Sequence, residues 1–205
     1  IVLEKTGGGF SFSRPLNGGD PFKVAKWRVL AGMNFKKVKM IDGNGNNKPY
    51  GDMTPTTGNI SEIICIGFTP SDGSCPEENT LVSVIASTSR NNLNNSINPT
   101  SGNKLSFGTE QFVSMGENSP TFNRMRASYS FFVPTKLINL TKACKSSDAT
   151  SEDCPQAIGF QFKAGTIIGE LPPYEAFCLG GTSSIRGWGS CDLAVSKSFV
   201  ESTIE

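Results

Sequence analysis

A single arginine, Arg186, lies in the glycine- and serine-rich stretch FCLGGTSSIRGWGSC, between Cys178 and Cys191. A guanidinium is permanently charged and presents a planar set of donors that can grip a carboxylate at two points. Cysteines on either side of a short loop can be oxidised to a disulfide. Ion pairing and thiol oxidation are therefore the two kinds of chemistry that these residue types offer.

The absence of histidine limits catalysis in the rest of the chain. None of the 205 residues is histidine, which removes the commonest general base, the commonest metal ligand and the usual partner of serine or cysteine nucleophiles. Glycine runs at 7–9 and 180–182 lack the lysine and the strand-to-helix setting of a phosphate-binding loop. We expect a protein that is not an enzyme and that uses no cofactor or metal.

The charges of the chain do not predict a nucleic-acid partner. Lys and Arg total 19 against 18 for Asp and Glu, and the basic residues are scattered rather than clustered into a patch. Arg124 and Arg126 are close together, and we interpret them as residues that fill an interior space.

The six cysteines predict disulfides rather than a metal site. They fall into three local pairs, and no CxxC spacing is present, so zinc would need four separate thiolates. Disulfides imply an oxidising compartment. About fifteen pairings are possible and sequence alone does not choose among them. The six candidates are Cys65, Cys75, Cys144, Cys154, Cys178 and Cys191.

Alternation of apolar and polar residues predicts an all-β chain. In NRMRASYSFF, Met125 and Tyr129 share one face of a strand while Arg124 and Ser128 share the other. Gly, Asn, Ser, Thr and Pro interrupt every helical pattern. The predicted strands are 4–14, 27–39, 80–89, 103–113, 122–133, 156–168 and 198–205, with 59–68 as a further candidate, and 41–59 and 141–155 are predicted loops.

This alternation fits two architectures. A soluble sandwich buries the apolar faces between two sheets, whereas a membrane barrel turns them to lipid. Strands of about ten residues favour the barrel, because they suit a tilted membrane crossing. Long polar loops and aromatic residues near strand ends also favour it. The aromatic residues are Trp27, Phe112, Tyr129, Phe131 and Phe132.

No linker divides the chain, so we expect one domain over residues 1–205. The sequence has no apolar run of about 20 residues, the length of a membrane helix. Its first residues lack the features of a signal peptide, and its last residues stop on a strand-like alternation. We therefore expect a piece of a longer protein, cut at both ends.

The stretch around Arg186 resembles the signature of BamA-type outer-membrane assembly factors. That signature is a glycine pair followed by a (V/I)-R-G-aromatic tip on the sixth loop of the barrel. A turn, NPTSG at 98–102, is similar to one that precedes a membrane strand in the same family. The stretches GENSPTFNRMRASYSFFVP and GTIIGELPPYEAFCLGG resemble its cyanobacterial and plastid branch. The matching residues of the tip are Gly180, Gly181, Ser184, Ile185, Arg186, Gly187 and Trp188.

The resemblance implies a fold and a place in the cell. The family has an antiparallel transmembrane β-barrel of about sixteen strands, of which this chain would supply about seven or eight, ending near the twelfth. Residues 169–197 would form the long loop that folds into the barrel. The implied location is an outer membrane, of a Gram-negative and especially cyanobacterial cell, or of the plastid envelope.

The same resemblance implies a function without covalent chemistry. The family inserts or translocates outer-membrane proteins, so the implied partners are unfolded outer-membrane client proteins, membrane lipid and accessory assembly subunits. Two rival functions stay open. One is a passive porin-like channel, and the other is a secreted, disulfide-linked β-sandwich that binds a partner.

The resemblance also assigns the site. The loop arginine of the family pairs with acidic residues on the barrel wall, and Glu205 is at the position of the partner on the twelfth strand, with Asp192 as a local competitor. Glycines at 180, 181, 187 and 189 would permit the tight reversal of the loop. A disulfide between Cys178 and Cys191 across the base of the loop is a further hypothesis.

Overall fold

A computed structural model of the chain describes residues 2–16, 26–41, 78–115, 120–135, 156–181, 184–189 and 191–205. These residues form one seven-stranded antiparallel sheet in the order β1-β2-β3-β4-β5-β6-β9 and a small two-stranded sheet, β7-β8. The large strands are β1 Val2–Pro15, β2 Trp27–Ile41, β3 Glu78–Leu93, β4 Gly102–Ser114, β5 Phe122–Pro134, β6 Ala157–Gly169 and β9 Ser198–Ile204. The small ones are β7 Phe177–Leu179 and β8 Ala194–Ser196.

All seven main predicted strands are confirmed, most of them with longer ends. The candidate strand at 59–68 lies outside the described residues. Strands β7 and β8 were not predicted, because three-residue segments inside a loop are too short to show a period. Among the described residues, no helix is long and apolar enough to cross a membrane.

Each strand of the large sheet pairs with the next strand in the sequence until β6. Strand β6 pairs with β9, and the segment between them contains β7 and β8, which form the small sheet. This register aligns the alternating faces across the whole sheet. The outer face is the one that carries Phe35, Phe107, Tyr129, Phe162 and Val200. The opposite side, called the inner face, carries Lys36, Glu110, Arg124, Lys163 and Glu201.

The outer face is apolar, and none of the residues that the structure describes forms a layer over it. Phe12 is 75 % exposed, Phe162 46 % and Val200 82 %. Rings on neighbouring strands pack against each other, as Phe131 and Phe160 do with centroids 4.7 Å apart. A continuous apolar surface of this extent is typical of contact with lipid. A sandwich would have buried it under a second large sheet, so the sandwich alternative is wrong for the described residues.

The best-buried apolar side chains lie on the inner face. They form one cluster at the end of the sheet where β2 ends and β5 begins, and residues of the loop after β6 cover it. Stacked Phe112 and Phe122 rings, with centroids 4.1 Å apart, are at its centre. The members are Val38, Leu81, Phe112, Phe122, Ile167 and Phe177, with Leu171, Tyr174 and Phe199 packed against them.

The side chains on the inner face correct the interpretation of two aromatic residues. Phe112 and Phe132 were expected among the aromatic residues that mark a membrane surface. Phe112 is fully buried, and the ring of Phe132 lies over Gly159, where it would contact a Cβ atom. In the alternation of side chains along their strands, both residues point to the inner face. Their position near a strand end therefore did not indicate contact with the membrane surface.

A charge on the outer face should be far more costly than the same charge one residue away. We expect Phe162→Arg to destabilise the full-length protein in phospholipid vesicles by about 2–4 kcal/mol, the usual effect of a cation on a lipid-facing strand near mid-membrane. Gln161→Arg on the inner face is the matched control. Urea unfolding in vesicles measures both, and equal destabilisation would contradict the assignment of the faces.

Candidate loop site on the inner face

The site is built by the segment 170–197, which connects β6 to β9. Strands β7 and β8 form its stem, with Cys178 opposite Val195 in the pairing. Cys178 and Cys191 form a disulfide, with Cα atoms 4.5 Å apart. The bond fixes the base of the turn that carries Arg186. The other four candidate cysteines, Cys65, Cys75, Cys144 and Cys154, lie outside the described residues.

Left-handed backbone at three of the predicted glycines makes the turn. Gly180 has φ +118°, Gly181 +89° and Gly187 +93°, a region that residues with a Cβ atom rarely adopt. The Gly181 N–H donates to the carbonyl of Trp188 at 3.0 Å, which closes the tip. Gly189 differs, because it lies against the Asp192 carboxylate rather than adopting a positive φ.

Arg186 at the tip forms an ion pair with Glu205 through Nη2 and Oε1. This is the pair that the sequence analysis named, and the structure brings the two residues together. The two side chains are 76 % and 58 % exposed within this chain. Ile185 and Trp188, on either side, are also exposed. An exposed pair contributes little by itself, so other contacts must hold the loop.

Glu201 provides one of those contacts and was missed as a site residue. Its carboxylate accepts a hydrogen bond from Ser184 Oγ at 2.8 Å and forms an ion pair with Lys163 Nζ at 3.1 Å. Its side chain is only 8 % exposed. The sequence could have indicated this residue, because side chains alternate along a strand and positions 201 and 205 therefore face the same side of the sheet.

A larger charge cluster binds the first limb of the loop, residues 170–179. Glu175 lies in a 3-10 turn at Pro173–Glu175. Its carboxylate accepts hydrogen bonds from Lys36 Nζ at 2.7 Å and from Arg124 Nη1 at 2.8 Å. Arg124 Nη2 also binds Glu110 at 2.5 Å, and Ser83 Oγ donates to Glu110 at 2.7 Å. Arg124 was interpreted as a residue that fills an interior, and the structure gives it two carboxylate partners.

Aromatic packing joins the limb to the inner face beside this cluster. The Phe177 ring lies against Phe199, with centroids 4.8 Å apart. Both rings occupy the space over Gly165, where a Cβ atom would collide with them. Arg126 lies over the Phe177 ring at 5.3 Å from its centroid. Gly165 on the sheet thus makes room for one ring from the loop, Phe177, and one from β9, Phe199.

The contacts that the structure shows at the site are charge pairs, hydrogen bonds and ring packing. In the part of the chain that the structure describes, no group of three or more His, Cys, Asp or Glu could hold a metal ion. The four glutamates described above each have a cation or hydroxyl as a partner, namely Glu110, Glu175, Glu201 and Glu205. Such an arrangement can hold a loop in place and determine its position.

The sheet and its loop define a segment of an antiparallel membrane β-barrel. The sequence profile described as the Omp85 superfamily domain matches residues 3–205, and the chain belongs to that superfamily. The predicted kinship with BamA-type barrels is therefore confirmed.

Individual relatives agree with this assignment. The chain is 30 % identical to chloroplastic TOC75-4 of Arabidopsis thaliana over 100 residues, which are 49 % of this chain and 23 % of that protein. It is 31 % identical to chloroplastic TOC75 of Oryza sativa subsp. japonica over 100 residues, 49 % of this chain and 11 % of that protein. The chain thus spans less than a quarter of the length of these relatives.

The fold is similar to that of BamA from Haemophilus ducreyi lacking POTRA domains 1–3. The TM-score is 0.59 at 13 % identity, and the match covers 98 % of this chain and 36 % of the other. Superfamily and chloroplastic relatives together place the chain in an outer membrane, of a bacterium or of the plastid envelope.

Peptide mapping tests the disulfide directly. Without reductant, we expect a linked peptide pair that contains Cys178 and Cys191. The double variant Cys178→Ser with Cys191→Ser should loosen the loop by an effect on the order of 3 kcal/mol, because a short closed loop no longer restricts the unfolded chain. Faster exchange of the Leu193 amide, which donates to Leu179, would report it. Alkylation of both thiols in untreated, oxidised protein would contradict the pairing.

Proposed function

We propose that the chain is part of a barrel that inserts or translocates other outer-membrane proteins, without covalent chemistry. In this proposal the loop is a structural element of the barrel interior, and Arg186 locks its tip there. The partners are unfolded outer-membrane client proteins, membrane lipid and accessory assembly subunits. Residues 1–205 act as one unit, with 169–197 as the inward-folding loop.

The ion pair between Arg186 and Glu205 carries the proposal. It joins the tip of the loop to the last strand of the sheet, and Ser184 with Glu201 forms a second contact two residues from the arginine and four from the glutamate. Together the two polar contacts hold the tip of the loop against the end of the sheet formed by β9. Superfamily membership and the chloroplastic relatives support the same function.

The enclosed interior explains why an arginine suits this position. Within this chain the pair is exposed, but in a closed barrel the remaining wall would surround it and lower the local polarity. Charges in such a space bind more strongly, and an unpaired one becomes costly. The Glu205 carboxylate would then hold the tip against the wall only while Arg186 keeps its charge.

Substitution of Arg186 tests the proposal in the full-length protein. Arg186→Ala should slow assembly of client barrels in reconstituted vesicles by about fivefold or more, the effect of about 1 kcal/mol on a rate. Arg186→Lys should recover part of the rate, because a shorter ammonium keeps the charge but loses the planar donor set. Glu205→Gln should resemble Arg186→Ala, and the double variant should be no worse than either.

Ion conductance in planar bilayers separates this function from a passive channel. A porin-like barrel would change its conductance in the Arg186→Ala variant while client assembly continued at the wild-type rate. Asp192→Asn is a matched control, because that carboxylate is in the same loop and has no contact with the arginine in the described residues. A normal assembly rate for Arg186→Ala would make the proposed role of the arginine wrong.

A further inference from the structure

We propose that Glu175 is a second positioning residue, which fixes the first limb of the loop independently of Arg186. The limb, residues 170–179, enters the inner face beside the ends of β2 and β4 and the start of β5. This glutamate lies in the stretch GTIIGELPPYEAFCLGG, but the sequence analysis did not assign it to the site. It is the carboxylate in the described loop with the largest number of cation contacts.

Three cations from three different strands surround the carboxylate. Lys36 Nζ of β2 binds Oε1 at 2.7 Å, and Arg124 Nη1 of β5 binds Oε2 at 2.8 Å. Lys5 Nζ of β1 is 3.7 Å from Oε1 and donates to the Tyr174 carbonyl at 3.4 Å. The limb is thereby connected to β1, β2 and β5 through one side chain.

Burial makes these contacts strong. The Glu175 side chain is 3 % exposed and that of Arg124 is 13 % exposed. The buried Phe112 ring lies beside both main cations, with its centroid 4.9 Å from Lys36 Nζ and 5.2 Å from Arg124 Cζ. Removal of one partner from a buried pair leaves an uncompensated charge, which is far more costly than loss of an exposed pair.

Without Glu175 the charges of the cluster no longer balance. Glu110 would be the one carboxylate described beside Lys36 and Arg124, and it is already bound to Arg124 and Ser83. Arg126 adds a further cation on the same face of β5. Loss of the loop carboxylate would leave excess positive charge under the limb and should expel it.

The two anchors lie at different depths along the sheet. Ile167 of β6 is opposite Arg124, whereas Gly159 of β6 exchanges backbone hydrogen bonds with Glu205. Positions 159 and 167 are about 26 Å apart along a strand that rises roughly 3.3 Å per residue. One anchor therefore holds the limb near one end of the sheet, and the other holds the tip near the opposite end.

This separation has a functional consequence. Release of the Arg186 tip would leave the limb in place through Glu175, so the tip can move without expelling the whole loop. The inference deepens the proposed function. It depends on that proposal in one respect only, namely that a closed barrel surrounds the loop. Its readout is the local order of the loop and requires no client protein.

Amide hydrogen exchange of the full-length protein in phospholipid nanodiscs tests the two anchors separately. For Glu175→Gln we expect exchange in limb peptides 170–179 to rise on the order of tenfold or more, with tip peptides 184–189 unchanged. Arg186→Ala should give the reverse pattern. Glu170→Gln is the matched control, because this exposed carboxylate is in the same limb and binds only the Thr121 amide among the described contacts.

A double-mutant cycle with Lys36→Gln tests the ion pair itself. If Glu175 acts through Lys36, the double variant should raise limb exchange by less than the product of the two single fold-changes. Lys36→Gln alone should raise it severalfold, so the test remains decisive if Glu175→Gln fails to fold. Unchanged limb exchange, strictly multiplicative effects, or release of limb and tip together in both single variants would each overturn the inference.

Discussion

Charge compensation on the inner face is the constraint on which this structure depends. Arg124 lies between Glu110 and Glu175, and Lys36 shares the second carboxylate. Buried charges of this kind are stable only when each has a partner and hydrogen bonds satisfy the remaining donors and acceptors. One carboxylate comes from the loop and the cations come from the sheet. Without the other part, each would therefore contain buried charges that have no partner. The loop is therefore as much a part of the interior as the strands are.

Packing follows the same division between sheet and loop. The inner face provides Val38, Leu81, Phe112, Phe122 and Ile167, and the loop adds Phe177 to the cluster. Glycine at 165 leaves a gap in the wall that the Phe177 and Phe199 rings fill. Because these rings fill the space over a glycine, few positions of the loop against the sheet are possible. A displaced ring would clash with its neighbours or leave a cavity. Charge pairs and ring packing thus select the same position of the limb.

The outer face has the opposite requirement. Its exposed aromatic and aliphatic side chains need lipid. Among the described residues, β1 and β9 are the edge strands of the sheet and need pairing partners, because unpaired strand edges are costly in a membrane. Both needs agree with membership of the Omp85 superfamily. Within such a barrel, the Arg186 and Glu205 pair would exchange exposure to solvent for an enclosed setting in which its attraction is stronger.

The sequence by itself determined the strands, their two faces, and the pairing of Arg186 with Glu205. Local alternation is sufficient for the first two, because side chains on a strand point to opposite sides with period two, and a motif carried the third. Tertiary structure decided the rest. Phe112 looked like a membrane-surface aromatic until the register placed it under the loop, and the family-like stretch around Glu175 did not reveal which residues this carboxylate binds. Its partner Lys36 is 139 residues away in the chain, and the contact arises only when the successive strand pairs from β2 to β6 bring β2, β5 and the loop together. Sequence patterns report local periodicity, whereas charge pairs between distant segments depend on the register of the whole sheet.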